Sequence, residues 1–422
     1  MTNAKRGTVW HPFTQHGLEP EMLPIAAAEG AWLTAKDSRR ILDAISSWWV
    51  VTHGHRHPRI IAAIAEQASK LDQVIFAGFT HEPAEQLAEG LIALAPEGLA
   101  HVFYSDSGST SVEVALKMAL GYWKNHGEAR TRILALDDAY HGDTIGTMSA
   151  GARGVFNAAY DPLLFEVGRI PFPDGGQEQR SFDALDAECR KGNVAALIVE
   201  PLVLGAGGMR TYSPETLKEM RRITARHDVL LVADEVMTGF GRTGTLFACE
   251  QASISPDLLC VAKGITGGSM PLAATLCTRA IYDAHYSRDR SRTFFHSSSY
   301  TANPIACAAA VANLAIWREE PVKARVHDLS VLQSKALETI RRDGRFENSR
   351  ALGTITAFDM ANAGSGYLAD VALKLRQAAL KRGVLIRPLG PTIYLMPPYC
   401  ITADELQFAY NAVSDAVDEV AA

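Results

Sequence analysis

The chain has 422 residues, 47% of them hydrophobic and 21% charged, a length and balance that suit a large core in two or three domains and exclude a disordered chain. Its 41 basic and 47 acidic residues leave a net charge of −6 with no long run of one sign, which excludes the footprint of a nucleic-acid or anionic-membrane binder. Six scattered cysteines (Cys189, Cys249, Cys260, Cys277, Cys307, Cys400) form no C-x-x-C pair, so they read as reduced core thiols of a cytoplasmic protein, not as disulfides or a zinc set.

In chain order, Met1 to Trp10 is polar with scattered cations and lacks the apolar stretch of a secretory signal. His53-Gly54-His55-Arg56-His57-Pro58 could set three imidazoles on one side of an extended segment. Gly54 and Pro58 shape a loop, and no carboxylate or cysteine is near in sequence. Structural hydrogen bonds are therefore expected there, and no metal.

Strand-length apolar runs follow at His101–Tyr104, Arg132–Leu136, Ala195–Glu200, Val229–Ala233 and Leu258–Ala262, alternating with helical periods. The helix after Ser109 sets Val112, Leu116, Ala119, Leu120 and Trp123 on one face, and Gly127 ends it. Pro304 to Trp317 is apolar but too short for a bilayer and is broken by Asn313, so it reads as a buried helix. Thr402-Ala403-Asp404-Glu405 is a capping box that opens a helix with Leu406, Tyr410, Val413 and Val417 on one stripe.

This alternation predicts an α/β fold on a mostly parallel sheet. With no linker or repeat in view, a smaller domain must come from both chain ends packing on a central body. The expected division is 51–309 for the large domain, with 1–50 and 310–422 forming the small one.

The densest signal runs from Leu230 to Gly268. One apolar strand ends in Asp234-Glu235, at the carboxyl edge of a parallel sheet, where such folds bind ligands. A second strand ends at Lys263 among small residues that admit a bulky ring. An aspartate and a lysine on neighbouring strand ends suit pyridoxal phosphate (PLP) chemistry. The lysine amine bonds the cofactor aldehyde and, partly desolvated, moves protons; the aspartate keeps the pyridine nitrogen protonated. Gly239-Phe240-Gly241-Arg242-Thr243-Gly244 matches G-x-G-x-x-G, but it stands several residues from its strand with no acidic residue about 20 further on, so a dinucleotide site is not expected.

Asp234, Glu235, Gly239, Arg242, Gly244 and Lys263 fill the D-E-x-x-x-G-x-x-R-x-G segment and the later lysine of the class III aminotransferases, which the chain resembles from Trp10 to Tyr399. The resemblance implies PLP fold type I, with Lys263 carrying the cofactor. It also implies phosphate contacts from Ser107, Gly108 and Ser109 at a helix N-terminus, where backbone amides favour an anion. Tyr140, in Tyr140-His141-Gly142, should cover one face of the pyridine ring. Ser298 and Ser299, in His296-Ser297-Ser298-Ser299-Tyr300, should reach the phosphate across an obligate homodimer interface.

Within the class, three segments resemble the members that convert 8-amino-7-oxononanoate to 7,8-diaminononanoate in biotin synthesis. They are Trp10-His11-Pro12-Phe13-Thr14-Gln15, Ser46-Ser47-Trp48-Trp49, and Ile386-Arg387-Pro388-Leu389-Gly390 continuing to Tyr394 and Pro398. By that match Trp48 is an aromatic wall for the aliphatic chain and Arg387 the fork for its carboxylate, with Phe13, Tyr394 and Ser297 nearby. The usual donor of such members is S-adenosylmethionine. Many of them have tyrosine where this chain has Phe13, and some relatives with phenylalanine accept lysine, which is the alternative donor.

Overall fold

The structure, a computed structural model, describes residues 7–361, 363, 366 and 370–421. Residues 1–6 of the polar N-terminal reading lie outside that set. A seven-stranded sheet forms the centre: β1 (Leu99–Ser105), β2 (Arg132–Leu136), β3 (Gly168–Ile170), β4 (Val194–Val199), β5 (Leu230–Asp234), β6 (Leu258–Val261) and β7 (Ala273–Thr278). The spatial order is β1-β7-β6-β5-β4-β2-β3. From β6 through to β3 every pair is parallel, while β7 runs antiparallel to both β6 and β1.

All five expected strands are present, with ends shifted by two residues at most. β3 and β7 were not expected. β3 has only three residues, and β7, Ala-Ala-Thr-Leu-Cys-Thr, mixes small and polar side chains that give a weak apolar signal.

Alternation along the strands explains why nearly every sheet residue is apolar. Leu230, Val232, Leu258 and Cys260 join one core cluster with Val112, Leu116, Ala119 and Trp123 of the helix Gly108–Asn125. Leu231, Ala233, Leu259 and Val261 join the larger cluster on the other face. Both faces are covered, as a parallel sheet requires. Five cysteines pack in these interiors; Cys400 is exposed, against the core reading, because it sits in the turn before the last helix.

The chain ends build two further sheets. One joins Ile25–Glu29, Trp32–Ala35 and Arg40–Asp43 to Val384–Leu385, and the other joins Phe346–Leu352, Ile355–Met360 and Thr392–Leu395. The apolar run at 304 forms the buried helix Pro304–Glu319, capped by the Asn303 side chain on Ala306 N. The capping box is formed in both directions between Thr402 and Glu405.

Each of the three histidines has a partner from elsewhere in the chain. His53 meets Asn313 Oδ1 at 2.7 Å, His55 meets Asp43 at 2.9 Å and His57 meets Glu320 at 3.4 Å. Carboxylates absent from their sequence neighbourhood thus arrive through the fold. Among the described residues no helix is long and apolar enough to cross a membrane.

Candidate active site

A cavity of about 600 Å³ opens at the carboxyl edge of β4, β5 and β6. Ser107, Gly108, Ser109, Tyr140, Asp234, Lys263, Phe13, Trp48, Arg387 and Tyr394 all line it. Ten of the thirteen residues expected from the sequence therefore meet in one place.

At one end, Ser107 caps the helix Gly108–Asn125. Its hydroxyl accepts from Thr110 N and its own N–H donates to Thr110 Oγ1, at 3.2 and 2.9 Å. Thr110 N and Ser111 N are taken up by Ser107, which leaves the Gly108 and Ser109 amides, with the helix dipole, as an anion site. Two glycines keep it open. A Cβ on Gly108 would lie 2.5 Å from Val236, and Gly142, at φ +130°, would put one 2.1 Å from Ser109 Oγ.

Asp234 is the last residue of β5, pairs in register with Cys260, and is almost fully buried. One carboxylate oxygen accepts from His141 Nδ1 at 2.7 Å and the other from Val236 N at 3.2 Å. The far nitrogen of His141, Nε2, is buried without a partner among the described residues. β6 ends at Val261, so Lys263 lies two residues past the strand, in a short turn, with φ +48°. The expected strand end at Lys263 is corrected accordingly: the lysine projects from strained backbone that a strand could not provide.

Burial pushes the Lys263 amine down to about 8, and the charges of Asp234 and Glu200 only partly offset it. Its Nζ lies 5.0 Å from the centroid of the Trp49 ring. Burial also raises the Tyr140 phenol.

Glu200, Trp49 and Phe156 are among the lining residues to which the sequence reading gave no role. Glu200 follows β4, is buried, and accepts from Tyr140 N at 3.0 Å and Gly205 N at 2.8 Å. Burial is the main cause that lifts its carboxyl to about 7. The signal was available, because Glu200 ends the expected strand at the same sheet edge as Asp234. Trp49 and Phe156 gave no such signal.

The other end of the cavity stands on irregular backbone. Ser46, Ser47, Trp48 and Trp49 have φ of +52°, +51°, +94° and +72°, a left-handed turn that costs roughly 1–3 kcal/mol per non-glycine residue. Phe13 also has positive φ, +49°. The Arg387 guanidinium stacks 4.5 Å over Trp48 and donates to the Phe13 carbonyl at 3.1 Å. Phe13 sets its ring edge against Trp48 at 5.4 Å and Phe156 at 5.9 Å. Trp49 Nε1 donates to the Tyr394 hydroxyl at 2.9 Å.

Arg242, from the G-x-G-x-x-G segment, is buried and donates to the carbonyls of Trp49, Val51 and Pro397. Glu235, the neighbour of Asp234 in sequence, is buried and accepts from Thr238, Ala248 N and Cys249 N. Both shape the frame, and neither lines the cavity.

Ser297, Ser298 and Ser299 do not line this chain's cavity; Ser298 donates to Asp106 Oδ2 at its rim. The residues present fit PLP: an anion site kept clear of Cβ atoms, a buried carboxylate, and a lysine whose amine is partly free near neutral pH.

A family profile described as aminotransferase class-III matches residues 13–417. The chain is 48% identical over 420 residues to the adenosylmethionine-8-amino-7-oxononanoate aminotransferase of Synechococcus elongatus, covering 98% of this chain and 99% of that one. Its identity to the enzyme of that name from Nitratidesulfovibrio vulgaris is 42%, covering 97% and 80%. The solved structure of the Methanocaldococcus jannaschii enzyme of that name is 32% identical with a TM-score of 0.93, covering 98% and 97%. An amine transaminase from an uncultivated Pseudomonas species, in its PLP-bound form, is 32% identical with a TM-score of 0.92, covering 98% and 99%.

Proposed function

The chain belongs to the class III aminotransferases, and from that premise we propose that it transfers an amino group to 8-amino-7-oxononanoate, giving 7,8-diaminononanoate in biotin synthesis, with S-adenosylmethionine as donor. PLP is its cofactor. When bound, PLP supplies an electron-poor ring that takes up the charge released as a substrate C–H bond breaks.

The chain's own residues do the rest. Asp234, oriented by His141 and Val236 N, holds a proton on the ring nitrogen. Lys263 anchors the cofactor and, with its amine near 8, carries protons to and from the reacting carbon at neutral pH. With PLP bound, Tyr140 would cover the ring, and Ser107, Gly108 and Ser109 would hold the phosphate.

The observation that carries the acceptor assignment is Arg387 stacked on Trp48 in the same cavity as Lys263. A planar fork beside an aromatic wall suits a long apolar chain that ends in a carboxylate. Phe13 and Tyr394 complete that wall.

We assign the chain to an obligate homodimer. Ser297, Ser298 and Ser299 lie outside their own cavity, and Ile75, Phe79, Phe295 and Tyr300 near them are exposed, which supports a segment that completes the cavity of a second copy. We likewise divide the chain into a large domain, 51–309, and a small one, 1–50 with 310–422, and place the protein in the cytoplasm on its free, mostly buried cysteines.

Phe13 favours a second reading of the donor, with lysine in place of S-adenosylmethionine. Purified protein with PLP, 8-amino-7-oxononanoate and each donor in turn should yield 7,8-diaminononanoate by mass spectrometry, faster with S-adenosylmethionine. Product with lysine alone would transfer the donor assignment to lysine, and no product with either would refute the acceptor.

A further inference from the structure

The left-handed turn that presents Trp48 closes on itself through Trp49 N to Ile45 O and Val50 N to Ser46 O, both at 2.9 Å, but those bonds leave the Ser47 amide and hydroxyl to an outside partner. Four consecutive residues with positive φ relax unless the surroundings fix them, and one carboxylate makes three bonds to this turn and its approach. Asp43 ends the strand Arg40–Asp43, is fully buried, and lies outside the lining of the cavity.

Its Oδ1 accepts from Ile45 N at 3.3 Å and Ser47 N at 2.9 Å. Its Oδ2 accepts from Ser47 Oγ at 2.8 Å and His55 Nε2 at 2.9 Å. All four bonds close on the loop that leads into and away from Trp48. Two other ties act on the turn's ends, Ser46 Oγ donating to Met396 O at 2.7 Å and Arg242 donating to Trp49 O and Val51 O, while Ser47, the residue before Trp48, is held by Asp43.

We infer that Asp43 is a positioning residue, which through Ser47 and His55 fixes the Trp48 ring under Arg387 and so sets the affinity for the acceptor. The inference rests on the reading of Trp48 as the acceptor's wall. It gives His55, one of three histidines that drew attention in the sequence, a role: its N–H occupies a lone pair of a buried carboxylate that would otherwise be unsatisfied.

The test is a double-mutant cycle on the holoenzyme with Asp43→Ala, Trp48→Ala and both together, read by the KM for 8-amino-7-oxononanoate and by near-UV circular dichroism. Asp43→Ala should raise KM about tenfold with less change in kcat, but add less than about twofold once Trp48 is gone, since coupled residues are non-additive. The dichroic band that Trp48→Ala removes should also be lost in Asp43→Ala.

Additive effects on KM, or a Trp48 band at full strength in Asp43→Ala, would overturn the proposal. If Asp43→Ala yields no folded holoenzyme, Asp43→Asn and Ser47→Ala take its place in the cycle, with the same two readouts and the same outcomes for or against. Should Trp48→Ala leave KM unchanged, the reading of the wall fails, and the dichroic band alone decides whether Asp43 positions the ring.

Discussion

At one end of the cavity Asp234 and Ser107–Ser109 stand where a strand stops and a helix starts, so regular elements place them. At the other end Trp48 and Phe13 stand on residues with positive φ, held by Asp43, Arg242 and Arg387. Asp234 and the first turn of the helix Gly108–Asn125 are set by the ends of regular elements that fold on their own hydrophobic pattern, and Lys263, on positive φ two residues past β6, is the exception at this end. A substrate pocket needs side chains at angles a sheet does not offer, and the cost of irregular backbone is met by buried polar ties.

The largest effect should come from the cofactor end. Lys263→Ala is expected to abolish turnover while purified protein still binds PLP, because the helix N-terminus and Asp234 remain. Turnover near that of the parent would show that the lysine is wrongly assigned.

At the substrate end, Arg387→Ala should raise the KM for 8-amino-7-oxononanoate about 10- to 100-fold, from the loss of a charge-assisted contact of roughly 1.5–3 kcal/mol. Steady-state kinetics with the acid and its methyl ester check this. Equal use of both by the parent would separate Arg387 from the carboxylate.

A change of pH sharpens the contrast further. With its amine pushed down to about 8, Lys263 is protonated below that pH and free above it. Stopped-flow linkage of PLP to the apoenzyme should therefore rise about tenfold from pH 7 to 9 and level off, whereas a lysine at its ordinary value would rise about a hundredfold without levelling. Continued rise past pH 9 would mean that burial does not tune this amine.

The smallest effect is expected at Phe13. Phe13→Tyr adds one hydroxyl worth about 0.5–1.5 kcal/mol and should change the rate of the S-adenosylmethionine half-reaction by less than about tenfold. A larger change in single-turnover mixing would make this residue the main determinant of the donor.

The same contrast governs what the sequence disclosed. Apolar runs and helical periods placed β1, β2, β4, β5, β6 and the helix Gly108–Asn125 within two residues, because periodicity reports regular structure directly. Trp48, Phe13 and Arg387 came only from resemblance: nothing in Ser46-Ser47-Trp48-Trp49 announces positive φ. Glu200 was visible at a strand end and passed over. Trp49 and Phe156 act through contacts between segments remote in sequence, which no local pattern encodes, and Asp43 acts through local bonds that no apolar periodicity reports.

The chemistry at the cofactor end depends on Lys263, two residues past β6, being the residue that bears PLP. Borohydride reduction of the purified holoenzyme, followed by proteolysis and peptide mass spectrometry, reads this from the parent protein without any substitution. The phosphopyridoxyl mass is expected on the peptide that contains Lys263. The same mass on another lysine, or on none in protein that turns over, would contradict the assignment.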